Sequence, residues 1–127
     1  MPEERGAQTV NENANRTLEE LTPLKPAWFH ILLALSDGAL HGFAIREAVE
    51  VRTQARVKLW PANLYGSIKD LTELELLEAL TEEEQTDGDQ RRQYYRLTVR
   101  GREVLRMEAD RLQTLVDAAR ASQALAG

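Results

Sequence analysis

Pro61-Ala62-Asn63-Leu64-Tyr65-Gly66-Ser67-Ile68-Lys69-Asp70-Leu71 opens the stretch that decides the fold, and Arg91-Arg92-Gln93-Tyr94-Tyr95-Arg96-Leu97-Thr98 closes it. Proline suits the first helical position, where the N–H it lacks would have no partner. Leu64, Ile68 and Leu71 recur at i, i+4 and i+7, so one stripe of this helix, about residues 61–74, packs inward. Leu76, Leu77, Ala79 and Leu80 then read as a short apolar strand. Glu82 to Gln90, with Asp87-Gly88-Asp89 inside it, reads as a turn, and Gln93 to Leu97 alternates as a return strand. A helix feeding a two-stranded ribbon whose second strand carries arginines is the layout of a winged helix-turn-helix. In that layout the helix enters the DNA major groove and the ribbon touches the flanking backbone.

Upstream, Leu24 to Leu35 form a compact helix with Pro26 near its first turn and Phe29, Leu32, Leu33 and Leu35 on its apolar side; Ser36-Asp37-Gly38 stops it. A second helix runs from about Gly42 to Arg52, with Phe43, Ile45, Ala48 and Val49 expected inside. The connector Thr53 to Trp60 alternates weakly and reads as a short strand or an extended turn. Downstream, Thr98 is a good N-cap for a last helix over about Val99 to Ala124. Leu105, Ala109, Leu112, Val116 and Ala119 recur along it at spacings of four and three, with Val104 and Leu115 widening the stripe. Such a seam is expected to pair with the same helix of a second subunit. Residues 1–20 are polar and aperiodic, which predicts a segment that is mobile or helical only on contact with a partner. The expected architecture is therefore mainly α: a flexible segment 1–20, a winged helix-turn-helix of three helices plus a two-stranded β wing over 21–98, and a dimerisation helix over 99–127.

Bulk composition bounds the function. A chain of 127 residues with 43% apolar content builds one small core. No apolar run approaches the roughly 20 residues of a membrane helix, and Met1-Pro2-Glu3-Glu4-Arg5 has no signal-peptide pattern, so a cytoplasmic protein is expected. With no cysteine and two histidines, His30 and His41, thiolate chemistry is excluded and metal ligation is disfavoured. Ser36, Asp37 and His41 make no supported nucleophile triad, and no Gly-rich phosphate loop is present. The expectation is a protein without enzymatic activity or cofactor.

The net charge of −5 argues against nucleic acid until the charges are placed. From Arg91 to Arg106 six arginines stand against one acid, Glu103, whereas Glu82 to Asp89 hold five acids and no base. An acidic molecule can thus still present one basic face. On the third helix, Asn63, Ser67 and Lys69 are candidates to reach base edges or phosphates, with Asn63 and Ser67 nearest the groove floor. Tyr65 either gives its hydroxyl to a phosphate or packs as a ring with a wet tip. Arg91, Arg92 and Arg96 are expected phosphate contacts; the alternative pairs them with Glu82, Glu83, Glu84, Asp87 or Asp89 across the turn. Tyr94 and Tyr95 point to opposite faces of their strand, so one enters the core. Trp28 and Trp60 are both expected in the core. A competing function is a winged-helix protein-interaction module whose acidic turn and Asp70 dock a basic partner.

Three pieces of the chain resemble the PadR family of bacterial and archaeal transcriptional regulators, in particular its short members with one carboxy-terminal helix. They are Leu24 to Gly42 with Asp37-Gly38-Ala39-Leu40-His41-Gly42, Pro61 to Leu71 centred on Leu64-Tyr65, and Arg92 to Gly101 reading R-Q-Y-Y-R-L-T-V-R-G. The resemblance implies a winged-helix dimer that binds double-stranded DNA at a palindromic operator, usually as a repressor. In many members a small-molecule effector acts near the dimer interface; none is identifiable from this sequence, whose last helix has no Phe, Trp or Tyr. Onto matching positions the resemblance carries Asn63, Tyr65, Ser67 and Lys69 of the recognition helix and Arg91, Arg92 and Tyr94 of the wing. The chain departs from the pattern at Glu75, where the family usually has glycine. It departs also at Asp70, where a base is common, and at Phe43, which replaces a frequent tyrosine.

Overall fold

The computed structural model describes residues 16–85 and 92–125. The chain begins there with a single helical turn, α1 (Leu18–Leu21), in a stretch read as mobile. Thr17 caps it: its hydroxyl accepts the Glu20 N–H while the Glu20 carboxylate accepts the Thr17 N–H, each at 3.3 Å. Leu21 and Leu24 are thereby fixed in the core, so residues 16–20 are ordered by a local cap that apolar periodicity does not register. Residues 1–15 lie outside the described residues.

Helix α2 (Pro26–Ala34) starts on Pro26 and buries Trp28, Ile31, Leu32 and Ala34. A 3₁₀ turn, Leu35–Asp37, runs into Gly38 at φ 148°, a conformation open to glycine alone, which is why the chain turns there. Strand β1 (Leu40–His41) follows, then α3 (Gly42–Arg52) and α4 (Pro61–Glu73). The connector between these helices is a turn with Gln54 and Ala55 at positive φ, and its Leu59 is buried. Two strands, β2 (Leu77–Ala79) and β3 (Tyr94–Leu97), precede the terminal helix α5 (Val99–Ala121).

The sheet has three antiparallel strands in the order β1-β3-β2, one more than the two-stranded wing expected. Leu40 pairs with Tyr95 and His41 with Tyr94, while Leu77, Glu78 and Ala79 pair with Leu97, Arg96 and Tyr95. Two residues carry no periodic signal, so β1 exists only because β3 offers an edge for it.

Ile31, Leu32, Leu35, Ile45, Leu59, Leu71, Leu76, Leu77 and Val104 form the centre of the core. Two aromatic side chains expected inside lie outside: Phe43 is 57% exposed and Trp60 62%. Each stands at the start of a helix, where the side chain projects past the first turn; the Arg46 guanidinium lies 5.4 Å from the centre of the Trp60 indole. Trp28 is buried as expected.

Helix α5 divides into two parts. Its first half packs on α1 and α2, with Val104 and Glu108 buried and Leu105 against the core. This corrects the expectation that the whole seam lacks a partner within its own domain. Beyond Arg111 the helix leaves the core: Leu112 is half-buried, and Leu115, Val116 and Ala119 are exposed, as is Ala109 earlier.

Candidate nucleic-acid interface

Helix α4 buries Leu64, Ile68 and Leu71 on the stripe its sequence marks. Asn63, Tyr65, Lys69 and Asp70 lie on the exposed side. Ser67 does not join them. It is 6% exposed, and its hydroxyl donates to the Asn63 Oδ1 at 3.3 Å. The i+3 offset from Leu64 brings it to the α2 side, where it shares a cleft with Lys25, Trp28, Asn63 and Asp70. Its role here is to orient Asn63, one turn earlier, and not to reach outward itself.

The Tyr65 ring packs on Gly42: a Cβ at Gly42 would come within 2.9 Å of both Cε1 and Cζ of the ring. The glycine at the head of α3 therefore permits α3 and α4 to meet through this ring. The Tyr65 hydroxyl accepts and donates no hydrogen bond among the described residues. Tyr65, 51% exposed, thus has the packed ring and wet tip of one of its two readings.

On the wing, Arg92 is exposed and brings Nη1 to 3.0 Å from His41 Nε2. Tyr94 sets its ring edge against His41 at 5.2 Å, and Tyr95 takes the core side of the strand. Burial, and then the neighbouring Tyr65 phenol, push the Tyr95 hydroxyl above the ordinary tyrosine range. Arg96 is held by two carboxylates: Nε lies 2.8 Å from Glu78 Oε2 and Nη1 2.8 Å from Glu84 Oε2. Glu84 is itself fixed by the Thr81 N–H at 2.9 Å, which with Arg96 keeps its carboxyl below the usual range. The alternative of pairing across the turn is thus realised for Arg96. Solvent screens exposed pairs of this kind, so exchanging a carboxylate for a phosphate costs little. Arg91 and the tip of the acidic turn lie outside the described residues.

One open cavity of about 320 Å³ brings these parts together, lined by His41, Gly42, Phe43, Tyr65, Arg92, Gln93 and Tyr95. His41, read from the sequence as part of the Asp37–Gly42 motif and weighed as a metal ligand or nucleophile partner, meets two other groups here. Its Nδ1 caps α3, lying 3.2 Å from the Ala44 N–H, while Nε2 faces Arg92. Both neighbours are donors and a neutral imidazole carries one proton, so each tautomer completes one of the two contacts. The available signal was position: a histidine directly before a helix start can cap it.

The site is tied to α5 by a joint at the end of α4. The Leu76 N–H bonds the Leu71 carbonyl at 2.9 Å and the Glu75 N–H bonds the Thr72 carbonyl at 3.0 Å, a Schellman turn with Glu75 at φ 60°. Thr98 then donates its hydroxyl to the Glu75 carbonyl at 2.7 Å and its N–H to the Leu76 carbonyl at 3.2 Å. Arg100 Nε donates to the Leu74 carbonyl at 3.0 Å, and its Nη2 donates to the Arg16 carbonyl.

A partly exposed helix lying beside a small sheet whose last two strands flank a turn, with a long helix following, defines the winged-helix class. The chain belongs to the PadR-like family of transcriptional regulators, whose family model matches residues 31–107. It is similar to a PadR family transcription regulator from Clostridium difficile (21% identical, TM-score 0.63, covering 74% of this chain and 94% of that one). It is also similar to a transcriptional regulator from Clostridium thermocellum (19% identical, TM-score 0.61, covering 73% and 85%). At these identities the likeness is one of fold. Among curated proteins it is 40% identical over 85 residues to an uncharacterized 37.1 kDa protein in transposon Tn4556 of Streptomyces fradiae. That match takes in 67% of this chain and 22% of the relative, so the chain spans about a fifth of that protein's length. Among the described residues no helix is long and apolar enough to cross a membrane.

Proposed function

We propose that the protein is a dimeric, DNA-binding transcriptional regulator of the repressor type, non-enzymatic, that recognises a palindromic duplex site. Helix α4 enters the major groove, with Asn63 and Lys69 at base edges or phosphates and Ser67 steadying Asn63 from behind. Tyr65 and the wing arginines, Arg92 foremost and Arg91 and Arg96 with it, take the flanking phosphates; Tyr94 supports the wing through His41. The observation that supports this best is the cavity shared by Tyr65 of α4, the head of α3 and Arg92 of the wing. Helix and wing there offer donors to one strip of backbone, although the molecule as a whole is acidic. The second subunit pairs through the outer half of α5, at Leu112, Leu115, Val116 and Ala119.

The test is an anisotropy titration against the duplex upstream of the gene encoding this chain, at several salt concentrations. Neutralised phosphates release counterions, so log K should fall linearly with log salt by roughly 0.9 per phosphate contacted. A flat salt dependence overturns the reading. The Glu78–Arg96–Glu84 cluster favours a second reading, a docking module whose carboxylates meet a basic protein. Under it, a pull-down recovers one protein partner whether or not nuclease is present.

A further inference from the structure

We infer that His41 is a positioning residue for DNA binding, presenting the Arg92 guanidinium to one backbone phosphate received in the cavity at the head of α3. The inference rests on the DNA-binding reading above and adds to it a residue and a receiving site.

The imidazole is held on every side. Pairing of β1 with β3 sets His41 opposite Tyr94, whose ring edge lies 5.2 Å away. Phe43 stacks on the other side at 6.4 Å and 12° between planes. These two rings fix the plane of the imidazole, whose Nδ1 lies 3.2 Å from the Ala44 nitrogen. Nε2 therefore sits at a fixed point on the cavity rim, and there it meets Arg92 at 3.0 Å. A guanidinium carries five donors and no acceptor, so the contact forms in the tautomer with the proton on Nδ1, in which Nε2 accepts and the cap on the Ala44 N–H is given up. A contact that orders the guanidinium before the duplex arrives removes part of the ordering cost of binding.

The receiving site has the chemistry of an anion pocket. Among the described residues, none that lines it is acidic, in a protein of net charge −5. Arg92 and the Tyr65 hydroxyl both border it, and α3, eleven residues long, begins at it with the positive end of its dipole. A phosphodiester oxygen placed between Arg92 and Tyr65 would receive a charge-assisted bond and a hydroxyl bond together.

Three variants separate positioning from packing. His41→Asn keeps a strong N-cap for α3 but is too short to reach Arg92; His41→Gln reaches Arg92; Arg92→Met removes the contact from the other side. With the duplex used above at about 0.1 M salt, His41→Asn should weaken binding roughly five- to tenfold and lower the salt slope by up to about 0.9. Its melting temperature should stay near that of the parent. His41→Gln should recover the slope, and His41→Asn should have no effect on affinity in an Arg92→Met background. The inference is overturned if His41→Asn binds with the parent's affinity and slope, if its loss persists without Arg92, or if His41→Gln fails to restore the slope. A flat slope in the parent protein would instead remove the DNA-binding reading itself.

Discussion

Glu75 occupies φ 60° because the Schellman turn closing α4 needs a left-handed residue at that point. A side chain there costs about 1 kcal/mol, which a glycine avoids. Glu75→Gly is therefore expected to raise stability by about 0.5 kcal/mol after the extra freedom of glycine in the unfolded chain is offset. Urea unfolding checks it, and a loss of stability would mean that the Glu75 carboxylate does work not visible in its contacts. Glu108 is the opposite case, a charge inside the core at 2% exposure. Arg111 grips it with Nε at 2.7 Å and Nη2 at 2.9 Å, and the Leu24 N–H donates to it at 3.1 Å. Arg111 first, and Leu24 after it, hold its carboxyl below the ordinary range against the upward push of burial. A depressed folded value means that this contribution is whole above the unfolded value near 4.3 and is lost as pH falls below it. Glu108→Gln should cost about 1–2 kcal/mol at pH 7, with the gap to the parent narrowing as the pH falls below that unfolded value. A gap that stays constant with pH would show that the charge is immaterial. The sequence held a sign of this pair: an acid four residues after Val104, inside an apolar stripe, with an arginine three residues on.

Elements were legible wherever a period or a cap wrote them. Leu64, Ile68 and Leu71 marked α4 and its buried stripe, Thr98 marked the start of α5 through its hydroxyl on the Gly101 N–H at 2.9 Å, and the arginine-rich return marked β3. Hidden were features that depend on a distant partner. β1 needs the β3 edge, and Ser67 is drawn inward by the crossing of α2 over α4; α1 escaped for a different reason, its signal being the local Thr17–Glu20 capping box and not an apolar period. The candidate site was half visible because it too depends on distant partners. The α4 and wing residues were named from the chain, while His41 becomes a hub only through a register between strands more than fifty residues apart. Gly101 shows how tightly two elements can meet: a Cβ there would come within 2.8 Å of the Leu76 carbonyl carbon and closer still to its oxygen. Since that backbone belongs to the α4–β2 joint, neither side can yield without moving α4. Gly101→Ala is expected to destabilise the protein by about 2–4 kcal/mol, read by thermal or denaturant unfolding. A variant with the parent's stability would show that the joint is soft.

At the scale of the whole molecule the question is what the outer half of α5 is for. From Leu112 to Ala121 the helix runs roughly 15 Å past its own core. A helical segment of this length is marginal by itself, and Leu115, Val116 and Ala119, with the half-buried Leu112, give it an apolar edge that no described residue covers. A second copy supplying the same edge meets both needs, and it doubles the winged helix. Because the joint at Thr98, Arg100 and Gly101 fixes α4 relative to α5, pairing of two such helices would also set the separation of the two recognition helices. Val116→Glu places a charge on that edge without touching the protomer's core, so the winged domain should fold unchanged while the dimer is lost. Sedimentation should show the mass of one chain in place of two, and melting should lose its dependence on protein concentration. Binding to a two-half-site duplex should weaken by roughly a hundredfold, since the linked second half-site no longer contributes. Parent protein sedimenting as a single chain at micromolar concentration, or a Val116→Glu variant of undiminished mass, would put the dimer contact elsewhere and leave the edge of α5 to another partner.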